Sequence, residues 1–116
     1  MALLDSWWDR DAHLVVPPGG GNSGTRETLH YALGLLMRGS KGDAQRASTA
    51  LNRVLDLQWE QAGSPHHGTF ARSPSEFTSP EPREPWKSYD PNMREFMGTV
   101  LCLMLHTFRP ILSPSL

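Results

Sequence analysis

The sequence predicts an all-α chain: an antiparallel αα-hairpin, a long proline-rich loop and a third helix. Three observations carry this reading. Leu29, Ala32, Leu33 and Leu36 recur at the i, i+3, i+4, i+7 spacing of one helical face. Ala47, Ala50, Leu51, Val54 and Leu55 repeat a helical stripe after a short glycine-bounded connection. Asp90-Pro91 then sets a capping residue before a first-turn proline, ahead of a third apolar run.

Residues 1–24 show no helical period of useful length and are expected to be irregular. Val15-Val16 suits a short extended stretch, which Pro17-Pro18 turns into a polyproline-like path. Gly19-Gly20-Gly21-Asn22-Ser23-Gly24 follows as a flexible, turn-forming run. Helix one is expected over 25–38, capped by the hydroxyl of Ser23 or Thr25. Gly39 supplies a left-handed stop, with Arg38 at the negative end of the helix dipole. Asp43 is a good N-cap for helix two, expected over 43–59, with Leu57, Gln58 and Trp59 extending its stripe. A connection as short as Gly39 to Gly42 makes the two helices antiparallel neighbours. The alanines permit close approach.

The loop over 60–90 holds Pro65, Pro74, Pro80, Pro82 and Pro85. It also holds Phe70, Phe77, Trp86 and Tyr89, which a solvated linker does not need. Helix three is expected over 91–108, carrying Phe96, Met97, Val100, Leu101, Met104, Leu105 and Phe108, with Pro110 ending it before Ser113-Pro114-Ser115. From Leu101 to Leu105 it is apolar nearly all round, so it expects neighbours on more than one side. Residues 25–116 are therefore expected to be part of a domain whose next helix lies beyond this chain. The rival is a complete three-helix domain that self-associates through helix three.

Composition excludes several classes. The 116 residues suffice for one small domain. A net charge of −1 carries no nucleic-acid footprint. No apolar stretch reaches the ~18 residues of a membrane-spanning helix. Asp5, Asp9 and Asp11 come too early for a secretory leader. The one cysteine, Cys102, excludes an intramolecular disulfide framework and fits a reducing, cytoplasmic setting.

Two blocks carry a resemblance to a known family. The first runs from Pro17-Pro18-Gly19 through Thr25-Arg26-Glu27-Thr28 into the hairpin that closes with Val54-Leu55-Asp56-Leu57-Gln58. The second is His67-Gly68-Thr69-Phe70, then Glu84-Pro85-Trp86, then Tyr89-Asp90-Pro91-Asn92-Met93-Arg94-Glu95-Phe96-Met97-Gly98. In this order the blocks resemble the start of the six-hairpin glycosidase-like (α/α) toroids, over roughly residues 15–108. The resemblance implies a fragment of an (α/α)6 toroid whose long connections line a carbohydrate-binding cleft. A glycoside hydrolase-like or polysaccharide lyase-like activity of a full-length parent would follow, with an oligosaccharide as partner. A truncated product without activity of its own is the alternative.

On that reading the loop holds the chemistry. Trp86 and Tyr89 offer flat faces for stacking on sugar rings, against the alternative that Trp86 packs the loop down. Glycoside hydrolysis needs two carboxyl groups. Glu76, Glu81, Glu84 and Asp90 are the candidates, and Glu84, beside Pro85-Trp86, is the favoured acid/base. A lyase would instead use Tyr89 to abstract a proton, with His67 or Asn92 neutralising a uronate. Arg26 at a helix start is a candidate anion contact, against simple capping. All of these are expected at one end of the helices, away from Gly39 to Gly42.

No metal site and no cofactor are expected. Cys102 and His106 lie one turn apart on helix three, but two ligands make no site. His66 and His67 are adjacent and diverge in most backbones. The glycine run lacks the Gly-Lys-Ser/Thr ending of a phosphate loop.

Overall fold

The structure, a computed structural model, describes residues 2–19 and 21–112. Gly20 of the glycine run and the tail Ser113-Pro114-Ser115-Leu116 lie outside the described residues. The chain runs α1 (Ala2–Trp7), β1 (Trp8–Asp9), β2 (Leu14–Val15), α2 (Thr25–Arg38), α3 (Asp43–Leu55), α4 (Pro74–Phe77), α5 (Met93–Phe108) and a 3-10 turn, Arg109–Ile111. About half of it is helical, so the all-α expectation holds only coarsely: a two-stranded sheet is present as well.

That sheet corrects the expectation of an irregular N-terminus. β1 and β2 pair antiparallel with Trp8 opposite Val15 and Asp9 opposite Leu14. Asp9 organises the intervening turn, its carboxylate accepting the N–H groups of Asp11 and Ala12 at 2.9 and 3.0 Å. Val15, expected in a short extended stretch, does lie in β2; β1 and the pairing went unread because two-residue strands are too short to leave an alternating pattern.

The helical hairpin is as expected. α2 spans Thr25–Arg38 and stops at Gly39, whose φ of 65° is the left-handed conformation that glycine adopts without steric cost. Its start differs from expectation. The capping position falls on Gly24, and the Glu27 carboxylate reaches back to accept the Gly24 N–H at 2.8 Å. The Thr25 hydroxyl is instead buried without a hydrogen-bond partner. Asp43 is the first residue of α3 rather than its N-cap, which is Gly42: its carboxylate takes Arg38 Nε and Nη2 at 2.7 and 2.8 Å and the Ser40 N–H at 3.0 Å. α3 packs along α2 through Ala47, Ala50, Leu51 and Val54, all fully buried or nearly so.

α3 ends at Leu55, short of the expected Trp59. Leu57 and Trp59 are buried beyond the helix end, Leu57 in a turn, and both exchange backbone hydrogen bonds with the Thr69–Ala71 segment. The loop is correspondingly more built than a bare connection. It contains α4, opened by Ser73 and Pro74, and its own apolar cluster of Trp59, Ala71 and Tyr89 with Phe77 against it.

α5 begins at Met93, two residues after the expected start, because Asp90 forms a turn rather than the cap: its carboxylate accepts the Asn92 N–H at 2.9 Å. The helix lies beside α2. Met93, Met97 and Met104 are its buried residues, and Phe96 and Leu103 face outward.

Candidate functional site

α3 leaves the helical hairpin, and α5 joins it, at the end opposite Gly39 to Gly42, so the loop 59–90 gathers there. The Thr25 N–H donates to the Arg72 carbonyl at 3.2 Å, fastening the loop to the start of α2. Trp59 centres the loop's interior. Its indole meets Phe77 stacked at 5.9 Å, Tyr89 edge-on at 5.9 Å and His66 edge-on at 5.2 Å, with the Arg83 guanidinium 5.1 Å above it. The aromatic quadrupole favours both the edge-on contacts and the cation.

The residues expected to act on a sugar take different positions around this centre. Tyr89 is 2% exposed and packs between Trp59 and His66, so its ring is part of the loop interior. Trp86 is 63% exposed, on backbone with φ 71°, and its N–H donates to the Tyr89 carbonyl at 2.7 Å. Glu84 is exposed one turn away, its carboxylate 3.2 Å from Lys87 Nζ. His67 is exposed, and its carbonyl accepts a hydrogen bond from Arg94 on α5. Asn92 is exposed at the foot of α5. Arg26 lies over the Phe96 ring at 5.5 Å and borders a small pocket with Glu27, Arg72, Asp90 and Met93. The chain thus groups Glu84, Trp86 and Tyr89 in one turn. Among the described residues no hydrogen bond joins Tyr89 to His67 or Asn92.

The other carboxylates are engaged. Glu76 is buried and holds Arg72 at 2.7 Å and Asn22 at 2.6 Å. Glu81 pairs with Arg83. Among the described residues no three His, Cys, Asp or Glu side chains gather closely enough to hold a metal ion.

Two features were not anticipated. His66 is buried against Trp59 and Tyr89, its Nε2 facing Gln61 and Arg83 and its Nδ1 without a partner. Burial, and then the neighbouring Arg83 charge, hold it below the ordinary imidazole range against the opposing pull of Glu81. The second feature is an open apolar groove between α2 and α5, lined by His30, Leu33, Gly34, Met37, Phe96 and Val100. Helix three alone suggested an apolar surface; the contribution of α2 emerges only from the packing.

These elements define a small, mostly helical domain with a structured aromatic loop at one end and an apolar groove along one side. No helix among the described residues is long and apolar enough to cross a membrane. The chain belongs to the family described as Domain of unknown function (DUF8769), matched over residues 1–116. No curated protein and no solved structure matches it.

Proposed function

We propose that this chain is a helical interaction module that self-associates through the α2–α5 face. One observation carries the reading: Met37 is 72% exposed, Leu103 56% and Phe96 37%, on adjoining helices. Phe96, Val100 and Leu103 stand at i, i+4, i+7 on one side of α5, and Leu33 and Met37 continue that surface on α2. Clustered exposure of this kind marks an interaction surface more often than scattered single residues do.

A second copy is the occupant that the face suits best. A two-fold interface must be self-complementary. Two α5 helices crossing antiparallel bring Glu95 of each copy toward His106 of the other and set the helix dipoles head to tail. Sedimentation velocity over a concentration series tests this. Self-association that Leu103→Glu abolishes, with helical content retained, supports the reading. A wild-type chain that stays monomeric throughout overturns it.

A second reading is favoured by Trp86. An exposed indole held at positive φ is a costly arrangement that usually serves a contact. It supports stacking on a sugar ring, with Glu84 at hand as acid or base, within a carbohydrate-active toroid. Titration with neutral and uronic oligosaccharides, following tryptophan fluorescence, tests this with Trp86→Ala as control.

A further inference from the structure

The opposite end of the molecule, where the β1–β2 hairpin meets the first turns of α3, holds an open cleft of ≈ 300 Å³. It is lined by Trp8, Arg10, His13, Gln45, Arg46 and Thr49, with Gly42 at one edge. We propose that this cleft binds a small phosphate monoester.

The lining contains two arginines and a histidine but no carboxylate. Nearby acids are already committed. Asp43 takes Arg38 Nε and Nη2, and Asp5 accepts from Arg38 Nη1 at 2.9 Å and from the Tyr31 hydroxyl, with Arg46 4.0 Å away. Asp9 turns its carboxylate into its own loop, held by the Asp11 and Ala12 N–H groups. Arg46 shares Asp5, whereas the Arg10 guanidinium has no ion-pair partner among the described residues.

The donors are also placed. Arg46 is oriented by a 3.0 Å hydrogen bond to the Tyr31 hydroxyl and lies 5.6 Å above the Trp8 ring. His13 is held at φ 58°, a conformation costly for a non-glycine residue, with its ring parallel to the Trp8 indole at 6.4 Å. The side chains of Arg10, Gln45 and Thr49 make no hydrogen bond among the described residues and remain available. Guanidinium groups, an imidazole, an amide and a hydroxyl converging on one space match the several acceptor oxygens of a phosphate. The cleft volume exceeds that of the phosphate group alone, so the ester's organic part lies against Trp8.

Isothermal titration calorimetry at fixed ionic strength tests the assignment, with phenyl phosphate, inorganic phosphate and benzoate as probes. Saturable binding of phenyl phosphate is expected, weakened about tenfold by Arg10→Ala through loss of a charge-assisted contact. Thr49→Val should weaken it further. Inorganic phosphate binding at the same site, more weakly, supports recognition of the phosphate group itself. Absence of saturable heat, affinity unchanged in Arg10→Ala, or benzoate binding as tightly as phenyl phosphate would each overturn it. Arg10 is exposed and Thr49 half-buried, neither with an internal partner, so both variants are expected to fold, checked by circular dichroism.

Discussion

The Thr28 hydroxyl accepts the backbone N–H of Val15 at 2.8 Å and donates to the Gly24 carbonyl at 2.6 Å. All three residues are buried. One side-chain oxygen therefore joins the β-hairpin to the first turn of α2, where a strand partner or a water would otherwise be needed. The close approach depends on Gly24: at φ 125° a Cβ there would stand 3.3 Å from the Val15 carbonyl.

Thr28→Val preserves shape and removes the oxygen. The buried Val15 N–H then loses its acceptor, and chemical denaturation should show a loss of about 1–3 kcal/mol. Thr28→Ser, which keeps the oxygen, should retain most of the stability.

The two faces of α5 should respond oppositely to truncation. Met97 is fully buried, so Met97→Ala should cost about 2–5 kcal/mol. Leu103→Ala removes an exposed side chain and should stay within about 0.5 kcal/mol in dilute solution. Denaturation midpoints compared at equal, low concentration check the contrast.

His66 makes stability depend on pH near neutrality. Its folded pKa lies below the unfolded value of about 6.5, so the unfolded chain takes up the proton first as pH falls. Its contribution is complete above that value and declines below it, at up to about 1.4 kcal/mol per pH unit. His66→Phe should flatten the stability profile between pH 6.5 and the depressed folded pKa, readable as thermal midpoints across a buffer series.

Asp5 and Asp43 act in a lower window. Hydrogen bonds from Arg38, joined at Asp5 by one from Tyr31, hold both carboxyls below their ordinary value. Their stabilisation is full above about pH 3.9 and is lost as pH falls through the depressed folded values. Asp43→Asn should lower the thermal midpoint by several degrees at neutral pH. It should also remove part of the loss seen on acidification.

Legibility in the sequence followed the kind of physics involved. The body and end of α2 could be read because its apolar stripe and the left-handed Gly39 are local signals, whereas its cap fell on Gly24 rather than on a hydroxyl. The end of α3 could not be read, since Leu57 and Trp59 continue an apolar pattern whose backbone is held instead by hydrogen bonds with distant Thr69 and Ala71. Asp90-Pro91 marked the approach to α5 but not its first residue, the aspartate having closed a turn instead. At the loop, sequence singled out Trp86 and Tyr89 alike as aromatic. Only packing around Trp59 sends one inside and leaves the other in solvent. His66 and His67 read alike in the sequence for the same reason: burial is a property of the fold, not of the dipeptide.

The loop's aromatic cluster is a second apolar centre beside the main core, and we expect the two to open as separate cooperative units. Phe70 belongs to the main core, while its neighbour Ala71 belongs to the cluster around Trp59, so the boundary falls on one peptide bond. Amides inside the loop, such as Trp59 and Gly68, can then exchange with solvent through an opening that leaves α2 and α3 closed. Amides of Leu35 and Leu51 require global unfolding. Protease nicking between Thr78 and Ser88 should accordingly leave the helical pair folded, giving a clipped but still helical molecule.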